Sequence, residues 1–257
     1  VGVAQAAAGA QPFLYDGSLY TMRIAPKSQN IITLKADNTG WNPVNEIQEH
    51  DFDDMFSSDY SSNLWPEYIS ADIVNAPLSE KRTRDNLSWL ANAITAWKTG
   101  DTSMRLKLNY MGDCLEYNSG VTTDYFSSHI PQFVQNNSQR TQTHDLSAQF
   151  FSQTNKRGYY LKEKLTVAGV WDKSNSEITG SYDLAQRVNH KSLSANNDLK
   201  LVKRNEKKLF TLISRNTLEH RPDRLIVAGV DNAEQSLGTT DFRSTTETKF
   251  GKMTRFW

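Results

Sequence analysis

The chain has 257 residues, with 29 lysines and arginines against 29 aspartates and glutamates, and a mean hydropathy of −0.63. Such a length can bury one large all-β core or two smaller ones, and the even charge balance argues against a broad nucleic-acid or anionic-membrane surface. No run approaches the roughly 20 apolar residues of a spanning helix, and the single cysteine, Cys114, excludes an intrachain disulfide or a multi-cysteine metal site. A membrane barrel is compatible with all of this, because only every second strand residue need be apolar there.

The opening "VGVAQAAAGAQ" has small residues like a cleavage region, but no basic segment or apolar core precedes them, so it is not a complete signal peptide. Strands are predicted at 19–25 and 29–37, joined by a tight turn at "PKS" (26–28). A connection over 38–85 follows, then two strands at 86–98 and 103–116 that meet at "TGDT" (99–102). On the first, Leu87, Trp89, Ala91, Ala93 and Trp97 share a face, although Leu90 and Ile94 blur the alternation. On the second, Met104, Leu106, Leu108 and Tyr110 oppose Arg105, Lys107 and Asn109.

Further strands are predicted at 141–155, 158–172, 194–204, 208–219 and 238–250, and 253–257 reads as the start of another. Over 158–172, Tyr159, Leu161, Leu165, Val167 and Trp171 oppose Lys162, Lys164 and Thr166, with Glu163 on the otherwise apolar side. Ile213 opposes Phe210 and Leu212, which leaves 208–219 ambiguous, while Asp241, Arg243, Glu247 and Lys249 oppose Phe242 and Phe250. Tight turns are predicted at "NKRG" (155–158), "NEK" (205–207) and "GK" (251–252), and long connections at 117–140, 173–193 and 220–237. Short and long connections therefore alternate, as expected of a transmembrane barrel with brief periplasmic turns and large external loops. Trp97, Tyr159, Tyr160 and Phe210 border short turns, and Tyr110 and Trp171 lie further along their strands. That spacing suits rings at two membrane interfaces, and it equally suits ordinary cross-strand aromatic pairs.

The segments "RTRDNLSWLANAITAWKTGDTSMRLKLNYMGD", "TTDYF", "QTHDLSAQF", "NKRGYYLKEKLTVAGVW" and "NNDLKLVKRNEKKLF" resemble the barrel of TonB-dependent outer-membrane receptors of the Bacteroides type. The resemblance runs from about residue 18 to the end and is strongest over 80–220. It implies an all-β fold: an antiparallel transmembrane β-barrel, or a segment of one, with residues 1–257 part of one barrel domain. It also implies a bacterial outer-membrane location and TonB-dependent uptake of a bulky nutrient. The implied partners are outer-membrane lipid, TonB, a plug domain, and a surface lipoprotein or another barrel-completing chain. The family's barrel has about 22 strands, whereas nine and a stub are predicted here, so the chain is expected to be an internal piece of a longer polypeptide. No plug, TonB box or regulatory domain is predicted within it.

Two alternatives stand beside this reading. One is a soluble all-β extracellular module for sugar or peptide, with aromatic loops as its site. The other is a hydrolase using the acidic loop, which would need paired carboxylates at a fixed separation. That loop, "EIQEHDFDDMFSSD" (46–59), gathers Glu49, His50, Asp51, Asp53 and Asp54, but lacks the glycine and glutamate positions of an EF-hand. With Trp41, Trp65 and Tyr68, residues Glu49, Asp53 and Asp54 form the candidate substrate-contact loop, since long loops on rigid scaffolds often carry recognition. A solvated acidic loop with self-packed rings is the plainer account of the same residues. "DYFSSHIPQF" (124–133) is a second aromatic loop of this kind. Arg105, Lys107, Lys162, Lys164, Arg243 and Lys249 are expected to face the lumen. No nucleophile elbow, phosphate loop, dinucleotide fingerprint or zinc motif occurs, so no catalytic, metal or cofactor-binding residues are predicted. The basic "KLVKRNEKKLF" (200–210) spans a tight turn and is read as solvated, not as a nucleic-acid patch.

Overall fold

A computed structural model describes residues 1–41, 85–125, 132–205, 208–229 and 232–252. These form one antiparallel sheet of ten strands in chain order. The strands are β1 (Gly2–Gly9), β2 (Leu14–Ala25), β3 (Ser28–Asp37), β4 (Asp85–Thr99), β5 (Thr102–Thr123), β6 (Phe133–Lys156), β7 (Tyr159–Gly180), β8 (Leu184–Asn205), β9 (Lys208–Ala228) and β10 (Ala233–Lys252). Every neighbouring pair is hydrogen-bonded, and β1 and β10 are not paired with each other, so the sheet is open among the described residues. None of the described elements is a helix.

Nine of the strands match the nine that the alternation predicts, and their lengths do not. β5 runs to Thr123, β6 starts at Phe133, β7 runs to Gly180, β8 starts at Leu184, β9 runs to Ala228 and β10 starts at Ala233. The long connections expected at 117–140, 173–193 and 220–237 are therefore corrected to short ones that cap extended strands. Beyond Trp171 both faces become polar, so the period-two apolar signal stops while the backbone ladder continues. Cross-strand polar pairs accompany it there: Arg140 Nε to Glu116 Oε1 at 3.4 Å, Arg187 Nε to Asn175 Oδ1 at 2.9 Å, and Arg224 Nη2 to Glu234 Oε1 at 2.8 Å.

The tenth strand, β1, is "GVAQAAAG", whose glycines and alanines have low strand propensity and no alternation. Register pairing with β2 extends it from Gly2↔Thr21 to Gly9↔Leu14. The turn expected at 251–252 is likewise the end of β10, paired through Lys252↔Lys208. The stub at 253–257 lies outside the described residues.

Opposed residues in an antiparallel sheet share a face, so the registers trace each face from strand to strand. One row runs Ile32, Ala93, Leu108, Ala148, Val167, Ala195, Leu218 and Phe242. The next runs Leu19, Leu34, Ala91, Tyr110, Leu146, Gly169 and Leu193. Together they make a continuous apolar face, and it is exposed: Leu146 is 48%, Leu193 55% and Phe242 66% accessible. Among the described residues every buried side chain lies on the opposite face, including Asp37, Ser88, Glu219, Arg221 and Asp223 as well as Leu90, Met111 and Val188. In a single layer, burial arises where curvature crowds side chains together, so the polar face is the concave one. Leu90 blurs the alternation of β4 for this reason: it pairs with Met111 on the concave side.

Rings border the apolar band at two levels. Near the tight turns are Trp97, Tyr159 and Phe210, with Phe210 against Phe250 at a centroid distance of 5.1 Å. Tyr160, one residue from Tyr159, belongs to the concave side. At the far level lie Trp89, Tyr110, His144 and Trp171. Trp89 Nε1 donates to Tyr110 Oη at 3.1 Å, Tyr110 Oη and His144 Nδ1 are 3.0 Å apart, and His144 pairs with Trp171.

Two glycines make room for these indoles. A Cβ at Gly112 would fall inside the Trp89 indole, and one at Gly169 would lie 2.6 Å from Trp171 Cη2. Gly112→Val is expected to destabilise the folded chain by about 1–3 kcal/mol through overpacking. Equilibrium denaturation of the full protein, alone and with Trp89→Ala, checks this: the valine should cost much less once the indole is gone.

Candidate functional site

The concave face carries the charged side chains, sorted by level. Toward the tight turns lie Arg105, Lys107, Lys162, Lys164, Arg243 and Lys249. All six fall on the concave face. Arg105 pairs with Phe151, Lys107 with Gln149 and Ile94, Lys164 with Phe151 and Asp198, Lys162 with Gln153 and Lys200, and Arg243 with Thr217. Phe151 receives two of them: Arg105 Cζ lies 5.4 Å and Lys162 Nζ 5.5 Å from its ring centroid. Lys249 Nζ is 2.8 Å from Glu247 Oε1, and Arg215 Nε is 3.8 Å from Asp198 Oδ1.

Further from the tight turns the concave face turns acidic, with Asp113, Asp145, Asp172, Glu219, Asp223 and Asp241. Its counter-charges are few. His190 Nδ1 lies 2.7 Å from Asp223 Oδ1, and Arg221 Nε lies 3.7 Å from Glu219 Oε1, all four residues being largely buried. Asp172 Oδ1 and Asp241 Oδ2 are buried with no hydrogen-bond partner among the described residues. Between the two zones runs an uncharged ladder in which Asn92 donates to Asn109, which donates to Ser147 Oγ at 3.1 Å.

Asp241 apart, sequence pattern singles out none of this acidic zone. Glu219, Arg221 and Asp223 alternate with period two, which is a strand signal, but the polar residues around them read as a connection. His190, Asp172 and Asp241 reach the same zone only through the register of β7 to β10.

A third cluster fixes the point where the chain leaves β3. Gly40 N donates to Asn86 Oδ1 at 2.8 Å, Asn86 Nδ2 donates to Trp41 O at 3.2 Å and to Ser88 Oγ, and Ser88 Oγ donates to Asp113 Oδ1 at 2.6 Å. Asp37, 1% exposed, accepts from Thr39 N at 3.4 Å beside them. Trp41 is 40% exposed, and Lys35 Nζ sits 5.6 Å from its ring centroid. Of the candidate substrate-contact residues Trp41 is the one described; Glu49, Asp53, Asp54, Trp65 and Tyr68 lie outside the described residues. So does most of the aromatic segment 124–133.

No family model and no curated protein matches the chain. Among solved structures it is similar to the ferric yersiniabactin uptake receptor FyuA from Yersinia pestis, at 11% identity and a TM-score of 0.49. The match covers 97% of this chain and 38% of that receptor, so the chain spans less than two thirds of the receptor's length.

Proposed function

We propose that the chain is a wall segment of an outer-membrane β-barrel receptor that takes up a bulky nutrient with energy relayed by TonB. One observation carries the membrane-wall part of this reading: the exposed face is the apolar one, while the concave face holds the charge. In a soluble sandwich the relation is reversed, because apolar faces pack on each other. Burying one large apolar side chain contributes about 1.5–3 kcal/mol, so the rows from Leu19 to Phe242 would forgo tens of kcal/mol in water. Hydrocarbon recovers that stabilisation.

The dimensions agree with a bilayer. Tyr159 and Trp171 lie about 40 Å apart along β7 at about 3.3 Å per residue, and a strand tilt of about 40° reduces this to about 30 Å. Glu163 falls inside that span, where Asn197 Nδ2 donates to its Oε1 at 3.4 Å. No described helix is long and apolar enough to cross a membrane, and strands are the other means of crossing.

In this reading the concave face lines the lumen. The six cations Arg105, Lys107, Lys162, Lys164, Arg243 and Lys249 would face the aqueous path or a plug that occludes it. The segment leaving β3 at Trp41 would be the first external surface to meet substrate. Among the described residues the outer edges of β1 and β10 are unpaired, and such edges would cost several kcal/mol per backbone group if left open in hydrocarbon.

Cell fractionation tests the reading. The full polypeptide should appear in the outer-membrane fraction, require detergent for extraction, and migrate differently in gels before and after boiling. Release in soluble form without detergent would end the proposal in favour of a soluble binding module.

A further inference from the structure

We propose that the outer surface just beyond the far aromatic row binds a phosphate-bearing lipid headgroup; the inference rests on the membrane reading above. The apolar face does not fade into neutral loops at that level but changes abruptly into a cationic patch. Asn189 of β8 stands in register between Lys173 of β7 and Arg224 of β9. Along its own strand the same face carries Arg187 on one side and Lys191 on the other. Four cations thus surround one half-buried amide, and all four are exposed.

The neighbouring carboxylates compensate this patch only in part. Glu234 is held by Arg224, with Oε1 2.8 Å from Nη2, and Glu116 is held by Arg140 outside the patch. Arg187 donates through Nε to Asn175, a neutral partner. Lys173, Arg187 and Lys191 make no ion pair among the described residues, and Glu177, in register with Ala185, is the further carboxylate on this side. A shallow groove of about 520 Å³ opens beside Arg187, lined in part by Arg140, Asn175 and Ile226.

Position decides which anion fits. Lys191 is in register with Trp171, the ring that bounds the apolar band. Lys173 and Arg224 sit two residues further along their strands, about 5 Å further from the hydrocarbon at ordinary strand rise and tilt. That is where lipid phosphates lie. Directly below Lys191 on the same face is Leu193, 55% exposed, and the apolar rows continue from it. Cations above and a continuous apolar surface below complement an amphiphile with a phosphate head and acyl tails. A soluble anion would use only the first of these. Basic side chains at a membrane surface attract anionic lipid in this way, and the attraction is screened within a Debye length.

The test reconstitutes the full protein in phosphatidylcholine bilayers with a trace of spin-labelled lipid, either phosphatidic acid or phosphatidylcholine. The fraction of label immobilised at the protein perimeter is read by electron paramagnetic resonance. Phosphatidic acid should be favoured about fivefold or more, and high salt should reduce that preference. The combined Lys173→Gln, Arg187→Gln, Lys191→Gln and Arg224→Gln variant should bring the ratio close to that of the neutral lipid. Equal immobilisation of both lipids by the unaltered protein overturns the headgroup site and leaves the membrane reading standing, as does an unchanged preference in a variant that still immobilises lipid. Immobilisation of neither lipid overturns the membrane reading itself.

Discussion

Replacing Leu108 by arginine is expected to destabilise the inserted protein by about 2–4 kcal/mol, whereas the same change at Met104 costs about 0–1 kcal/mol. Both residues lie on β5 and on the apolar face. Met104 is in register with Trp97 of the near aromatic row, and Gly112 with Trp89 of the far row, so Leu108 stands midway between the two levels. Leu108 is 43% exposed and its register neighbours are Ala93 and Ala148, which leave its side chain open to the surroundings of the sheet. A charge at mid-depth must be desolvated or dragged to an interface, while one at Met104 is already there. A bilayer imposes such a gradient of cost with depth along the strand. Unfolding of the full polypeptide from phospholipid vesicles measures both costs, and equal values would contradict a membrane-facing surface.

Arg221→Met is expected to cost about 3–5 kcal/mol, the magnitude for removing one partner of a buried ion pair. Arg221 is 8% exposed and lies between buried carboxylates: Glu219 at 3.7 Å on its own strand and the Asp223–His190 pair beyond it. Asp241, in register with Glu219, adds a further negative charge from β10. Without the guanidinium these carboxylates repel one another in a region where water screens them poorly. Adding Glu219→Gln to Arg221→Met should recover much of the loss, since it removes the charge left unpaired. The same unfolding measurement on the single and double variants checks this, and additive losses would argue against coupling between the two residues.

Much of the wall is legible in the sequence. The alternation of Met104, Leu106, Leu108 and Tyr110 against Arg105, Lys107 and Asn109 places a strand and both its faces, because period two is a local property of extended chain. The same holds for Tyr159 to Trp171 and for Phe242 and Phe250. The signal fails at β1, where "GVAQAAAG" offers no alternation, and in the distal halves of β5 to β10. There polar residues interrupt both faces and cross-strand partners accompany the ladder, such as Arg187 with Asn175.

Local pattern therefore suffices to establish that the chain is all-β, which residues share a side of each strand, and where the tight turns at 26–28, 99–102 and 155–158 fall. Which side is concave is a property of the assembled sheet, since it depends on the sense in which ten strands bend together. The charge zones likewise come from register alone. Asp145, Asp172, Asp223 and Asp241 are far apart in the chain and fall on three successive rows of one face only because the five strands β6 to β10 are aligned without a slip. A shift of one residue in any of those pairings would carry the carboxylates beyond it to the apolar side.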